Sequence, residues 1–484
     1  MRVVSSRTWR PAFAGFLAAV LAASCGGGGD SNPPAPETLR VVMRDGDTLP
    51  GGFSVNTIES ANMAADQTIA VIASEPGTPA QNGVFVVSPS GGVTTIMSPS
   101  SPPEGLSLTT VRNLIMSPTG EVTFEVGDQL DSDGVFYWDG ELKTLARTEP
   151  GTTPEGFRIL GEIRVADGGL VAFTDGTSPC EANNSTGTLR IECTLRIHTG
   201  VPGQLQQVSV PNELDGLAPT AVIVQVNRHQ EVAVGLPAGG SEPLVGTIQN
   251  GQFQGLLNRR QTFEGLGTLL AGRPRAIGSN SSIAIDAGFD TDGDGQRDRN
   301  RLLLYANQTI TSIAESGVPA SGHDGRVVLD VRGLDIDDLG RVVYSIDVGD
   351  AGSTTSFLSL RVWDGTASQE IAFEGLRFGR DDQDEPLRVL EIEQIRVSRS
   401  GDVVFTATIG RFDEEGTRRI DRTAILRWSG GQELEEVIQT KSTLSDGGRI
   451  TSLSIQDVNE RGDLLVIGTI DRQANRALLL LPRL

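Results

Sequence analysis

A short pattern recurs along this chain: a strand-forming run, a tight turn closed by glycine, then a second run of apolar, β-branched residues. Its clearest copies are Val397-Ser398-Arg399-Ser400-Gly401-Asp402-Val403-Val404-Phe405 and Val458-Asn459-Glu460-Arg461-Gly462-Asp463-Leu464-Leu465-Val466. Ser117–Phe124 and Asp337–Tyr344 follow the same plan. Self-similarity of this kind is the signature of a repeat architecture. It constrains the fold more than composition does, because a unit too small to cover its own apolar faces must be covered by its neighbours.

The fullest copy occupies residues 389–440. Val389–Val397 reads as a strand, Ser398–Gly401 as a turn and Asp402–Gly410 as a second strand. Arg411–Asp421 reads as a polar loop, followed by strands Arg422–Trp428 and Glu433–Gln439 around the turn Ser429-Gly430-Gly431. The same unit can be laid along the chain with first-hairpin turns near Asp66, Gly120, Gly169, Gln230, Ser282, Gly340, Gly401 and Gly462. The first, fourth and fifth copies lack the turn glycine. With 59 Gly and 24 Pro punctuating 484 residues, long helices are hard to place.

The expected fold is therefore all-β: a β-propeller of eight four-stranded blades, with seven as the alternative count. Radial repetition covers both faces of each small sheet and leaves only short edges. The last copy ends after its third strand, Arg476–Leu481, whereas Leu39-Arg40-Val41-Val42-Met43 reads as a fourth strand without a first three. The N-terminal strand is expected to complete the last blade and latch the ring. Residues 38–484 then form a single propeller domain.

Asn459…Gly462, Gly169…Ala172-Phe173 and Gly46-Asp47-Thr48-Leu49-Pro50-Gly51 carry a family resemblance. They look like the Asn-x-x-Gly-x-x-Ala-Phe tandem repeats of bacterial exported proteins with acidic Gly-Asp-x-x-Pro-Gly exits. The resemblance implies an anchored or secreted propeller and brings no activity with it.

The first 24 residues read as an export signal: Arg2, Arg7 and Arg10 precede an apolar run from Ala12 to Ala23. That run is too short for a membrane-spanning helix. Leu21-Ala22-Ala23-Ser24-Cys25 resembles the lipobox of bacterial lipoproteins, with Ala22 where leucine is usual. In that family the cysteine, here Cys25, becomes the acylated N-terminus, and a residue other than Asp after it, here Gly26, implies the outer membrane. An ordinary secretory peptide with a free cysteine near the cut is the alternative. Residues 25–37, rich in Gly and Pro, read as a tether. The membrane is expected to be met through the lipid alone. In an oxidising compartment Cys180 and Cys193 form an even pair suited to a disulfide, with two reduced thiols as the alternative. A net charge of −22 argues against a nucleic-acid partner.

Asp290-Thr291-Asp292-Gly293-Asp294-Gly295-Gln296-Arg297-Asp298 is the sharpest candidate site. Carboxylates at Asp290, Asp292, Asp294 and Asp298, a backbone carbonyl at Gln296 and Gly295 for the turn match a calcium loop. Arg301 stands where a helix–loop–helix site needs Glu, so the loop looks like the calcium-loaded hairpins of integrin-type propeller repeats. Its alternative is a solvated acidic loop. Every sizeable insertion (Cys180–Thr188, Asp290–Asn300, Gly349–Thr355, Arg411–Asp421, and Gly375–Asp384 between blades) belongs to one face of such a propeller, the usual working surface. His198, His229 and His323 are scattered, and no nucleophile elbow occurs. Trp138, Trp363 and Trp428 recur at one repeat position and read as core. The expectation is a monomeric binding or scaffold protein for a protein or glycan, with no catalytic residues singled out. A carbohydrate- or phosphoester-active enzyme working at the central channel is the alternative, and a purely structural surface protein a third reading.

Overall fold

The computed structural model describes Pro36 and residues 38–483, apart from 78–80, 104–109, 128–131, 148–162, 184–189, 209–222, 228, 237–242, 382, 414 and 472–474. At 132–133, 175–183, 190–196, 223 and 243 the backbone alone is described. Residues 1–35, with Cys25, the export signal and most of the tether, lie outside this set. Among the described residues no helix is long and apolar enough to cross a membrane.

The strands form eight antiparallel sheets, one per expected repeat. The first strands of blades 1–8 are Thr57–Met63, Thr110–Met116, Arg164–Val165, Ile223–Val226, Gly267–Ile277, Val327–Ile336, Pro386–Val397 and Ile450–Val458. Each touches the first strand of the next blade, and blade 8 returns to blade 1. A closed circle of first strands makes them the innermost elements of an eight-bladed β-propeller.

One turn joins the first two strands of every blade. In blade 7 the Gly401 N–H donates to the Ser398 carbonyl (2.9 Å), and the Ser398 N–H donates to the Asp402 carbonyl (2.8 Å). The residue before the second strand must take a positive φ, which glycine adopts at no steric cost. The three copies without that glycine keep the geometry: Gln67, Gln230 and Ser281 sit at φ 70°, 64° and 63°. In blade 5 the left-handed residue is thus Ser281, one before the expected centre. The motif asparagine has a reason too. Asn459 Oδ1 accepts the N–H groups of Arg461 (3.0 Å) and Asp463 (2.9 Å), and Asn227 and Asp337 cap their turns likewise.

Hydrophobic burial follows the ring. Eight apolar clusters each join two neighbouring blades. Val403, Phe405, Ala407 and Ile409 pack toward blade 6, whereas Val404 packs toward blade 8. Alternate side chains of one strand thus serve opposite interfaces, so the inner strands are apolar on both faces.

Arg40–Arg44 pairs antiparallel with Asn475–Leu481, placing Arg40 opposite Leu480 and Arg44 opposite Ala477. The N-terminal strand completes blade 8 as expected. Met43, 2% exposed, packs with Leu478 and Leu480.

Some details differ from expectation. Blades 5 and 7 carry five strands, because Thr262–Phe263 and Arg377–Arg380 fold back onto the first strand. Arg411–Asp421 is mostly ladder: Asp402–Phe412 pairs with Arg418–Ser429 beyond the expected strand ends, with Arg411 opposite Arg419. Polarity marked it as a loop, but exposed arginines lie well along a solvated hairpin whose backbone is satisfied across the ladder. The Cys180–Thr188 insertion likewise begins inside Val171–Asn183, which pairs with Arg190–Gly200. Trp428 is buried, whereas Trp138 and Trp363 are half-buried, packed against the edges of their clusters.

Candidate functional site

The long connections gather on the face opposite the tight turns. In blade 5, Ile283–Asp290 and Arg299–Ala306 are joined by the acidic loop. Asp290 is buried at the strand end and organises the loop from there: its Oδ1 accepts the Gly293 N–H (2.6 Å) and its Oδ2 the Gly295 N–H (2.9 Å). Gly293 and Gly295, at φ 85° and 84°, let the backbone turn inward. Oxygens of Asp290, Asp292 and Asp294 lie within 4.8 Å of one another. Hard oxygen donors around one point are what a calcium ion takes. Three carboxylates this close repel without a cation.

Asp298 lies outside that trio. Its Oδ2 accepts the N–H (2.7 Å) and hydroxyl (2.9 Å) of Thr291, clamping the two ends of the loop, and these bonds hold its carboxyl below the usual range. Gln296 donates its N–H to Asp294 Oδ1 (2.7 Å) and is exposed.

Beside the loop is a cavity of about 300 Å³ formed mainly by blades 5 and 6, with Leu236 of blade 4 at its margin. Arg273, Arg275, Arg297, Arg301 and Arg332 line it, with Asp286, Asp330, Ala271, Gly272, Ala287 and Gly288. Arg297 belongs to the acidic loop and folds back across Gly288, where an added Cβ would lie 2.3 Å from its Cδ. Glycine at 288 is therefore what admits Arg297.

The charged groups fall into two sets. Arg275 Nε donates to Asp286 Oδ2 (2.5 Å), and the Gly333 N–H donates to Asp286 Oδ1 (2.8 Å), tying blade 5 to blade 6. Burial still pushes the Asp286 carboxyl up, with Asp330 adding to it. Arg301 is buried against Glu315 (3.0 Å) and lies over the Phe289 ring. Arg273, Arg297 and Arg332 are exposed; Arg332 reaches Asp330 only at 3.8 Å.

The histidines do not converge. His198 stacks on Phe173, His229 stands in the blade 4 turn, and His323 accepts or donates to Glu370 Oε1 (2.8 Å) between Phe357 and Phe373. Cys180 and Cys193 lie on the two strands of the blade 3 hairpin, in the stretch where only the backbone is described. The arginine cavity was not anticipated. Its members come from three separate segments of an acidic chain, and no local spacing announces it.

No family description and no curated protein matches the chain. Solved structures align with most of the chain at low identity, a propeller among them. The Dos1 propeller aligns at TM-score 0.43 and 10% identity over 91% of this chain and 94% of that one. The oligogalacturonate lyase of Vibrio parahaemolyticus aligns at TM-score 0.40 and 10% identity over 87% of each. Prolyl oligopeptidase B of Galerina marginata aligns at TM-score 0.43 and 9% identity over 85% of this chain and 55% of that one.

Proposed function

We propose that this protein is an exported, lipid-anchored binding or scaffold propeller of the outer membrane, presenting its loop-rich face to a protein or glycan. Calcium orders the Asp290–Asp298 loop on that face. The observation that carries the reading is the coincidence there of a metal-capable carboxylate trio and a cavity of about 300 Å³. Concave sites with a few convergent polar groups are the usual seats of recognition. The repeat resemblance supports export and anchoring, and Cys25 is the residue that would carry the lipid.

The test is photocrosslinking in intact cells from one side chain at a time. A crosslinker at Thr291 or Ser353 probes the loop-rich face; one at Leu339, 76% exposed in a tight turn, probes the opposite face. A discrete adduct from the first two positions only is the expected result. Adducts from Leu339 alone would overturn the choice of face.

A second reading, an enzyme acting on a carbohydrate or phosphoester, draws on the same cavity. Burial pushes up Asp286, and with Asp330 beside it also Asp347, as happens among catalytic acids. Against it, both oxygens of Asp286 are already engaged, by Arg275 and Gly333.

A further inference from the structure

We infer that the arginine cavity between blades 5 and 6 is a binding site for a small polyanion bearing at least two oxyanion groups, such as a unit of an acidic saccharide or a di- or tricarboxylate. The inference rests on the proposed use of the loop-rich face and names the ligand class that the face takes.

Charge is the first argument. The chain carries a net −22, yet this one cavity gathers five arginines against two lining aspartates, with Glu315 pairing Arg301 from outside the lining. Like charges held together repel, and a local positive patch in an acidic protein draws anions that the rest of the surface turns away. Guanidinium groups match the planar, two-oxygen face of a carboxylate, and sulfate and phosphate as well.

Satisfaction is the second. Arg275 is matched to Asp286. Arg297 has no ion pair among the described residues, and Arg332 meets its nearest carboxylate only at 3.8 Å. Arg301 is 6% exposed, and its buried Nε–H finds no acceptor among the described residues. Buried donors without partners are rare and costly, and an anion in the cavity supplies acceptors.

Shape is the third. Ala271, Gly272, Ala287 and Gly288 line part of the cavity with small residues, and the stem of Arg297 lies over Gly288. Its volume of about 300 Å³ exceeds what one inorganic oxyanion fills and suits a sugar-sized ligand.

The experiment is calorimetric titration of the full-length protein with a hexuronic acid dimer, a neutral hexose dimer, citrate and inorganic phosphate. The acidic probes are expected to bind and the neutral dimer not to. Arg273→Gln, Arg297→Gln and Arg332→Gln are each expected to weaken binding about tenfold. All three side chains are exposed, so unchanged melting of the ligand-free variants confirms that they fold. Uronate binding far tighter than citrate points to a saccharide source, and the reverse to a free carboxylic acid. Phosphate alone binding would remove the polyanion claim. Failure of every acidic probe, or undiminished binding in the Arg273→Gln/Arg332→Gln double variant, overturns the site. Crosslinks from Thr291 that survive in that variant would leave the loop-face reading standing while this one falls.

Discussion

Arg399 in the blade 7 turn reaches to 3.6 Å of Asp167 in the blade 3 turn, four blades away on the far side of the ring. The same guanidinium donates to Glu460 of blade 8 (2.6 Å). One side chain therefore spans the axis where the tight turns converge. Arg341 reaches across to the Gly401 carbonyl (3.4 Å), and Asn459 Nδ2 to the Ala64 carbonyl (3.1 Å), tying further neighbouring turns together. The axis is bridged on this face by side chains of the tight turns.

The N-terminal strand is expected to hold the ring shut. Met43→Ala removes a side chain 2% exposed between Leu478 and Leu480 and should cost about 2–5 kcal/mol. Val42→Ala, at a half-buried position, should cost less than about 1 kcal/mol. Denaturant unfolding of the two variants measures the contrast. Deleting residues 38–44 should expose the edge of Asn475–Leu481 and show as light scattering on mild heating.

Two turn glycines should respond unequally to alanine. At Gly401, φ +89°, an added Cβ lies 1.8 Å from Arg341 Nη2 and 2.6 Å from Asp337 Oδ2, so both the backbone and that ion pair must yield. At Gly340, φ +78°, the nearest atom is 3.1 Å away, at the tip of Asn280. Gly340→Ala is expected to cost about 1 kcal/mol from backbone strain alone, and Gly401→Ala about 2–3 kcal/mol. Equal midpoints for the two in urea would contradict this account.

Stability should rise as pH falls from 7 toward 5. Burial pushes the Asp335 carboxyl, at the channel end of blade 6, up to about 6, and burial raises Asp457 at the matching position of blade 8. The unfolded chain titrates these groups near 4, so between about 4 and 6 folding takes up protons and acid favours the fold. Below about 4 the depressed carboxyls of Asp298, Asp381 and Asp413 reverse the trend, because their stabilising bonds are lost on protonation. Thermal midpoints should therefore peak near pH 4. Asp335→Asn should raise the midpoint at pH 7.5 and flatten the slope above pH 5.

Calcium should raise the melting temperature at millimolar concentration. At one hundred times the dissociation constant the gain is about 2.7 kcal/mol. Asp292→Asn combined with Asp294→Asn, both at exposed positions, should abolish the gain while leaving the metal-free midpoint unchanged or higher, since their mutual repulsion is removed. A calcium response that persists in the double variant would place the ion elsewhere.

Mature protein from the envelope should begin at Cys25 and carry a lipid mass there. Intact-mass measurement of the native protein and of Cys25→Ala gives the answer. An unmodified N-terminus would leave secretion in place and remove the anchor.

The blades were legible in the sequence because each is a local event. A turn needs one left-handed residue beside a capping side chain, as at Asn459 and Gly462, and both lie within four residues. Alternating apolar strands on either side complete a blade, so eight units and the N-terminal latch could be read from residue order alone. The carboxylates of Asp290, Asp292 and Asp294 are spaced by the loop itself and were legible for the same reason. The turns at Gln67, Gln230 and Ser281 were placed by the spacing of the repeat with no glycine to mark them, and the residue there takes the left-handed conformation all the same, with Gln67 Nε2 reaching Asp463 Oδ2 (3.2 Å). Arg273, Arg297 and Arg332 come together only when blades 5 and 6 pack side by side and the acidic loop folds back over Gly288. The blade is a property of short-range backbone geometry, whereas the charge in the cavity is set by which blades the closed ring makes neighbours.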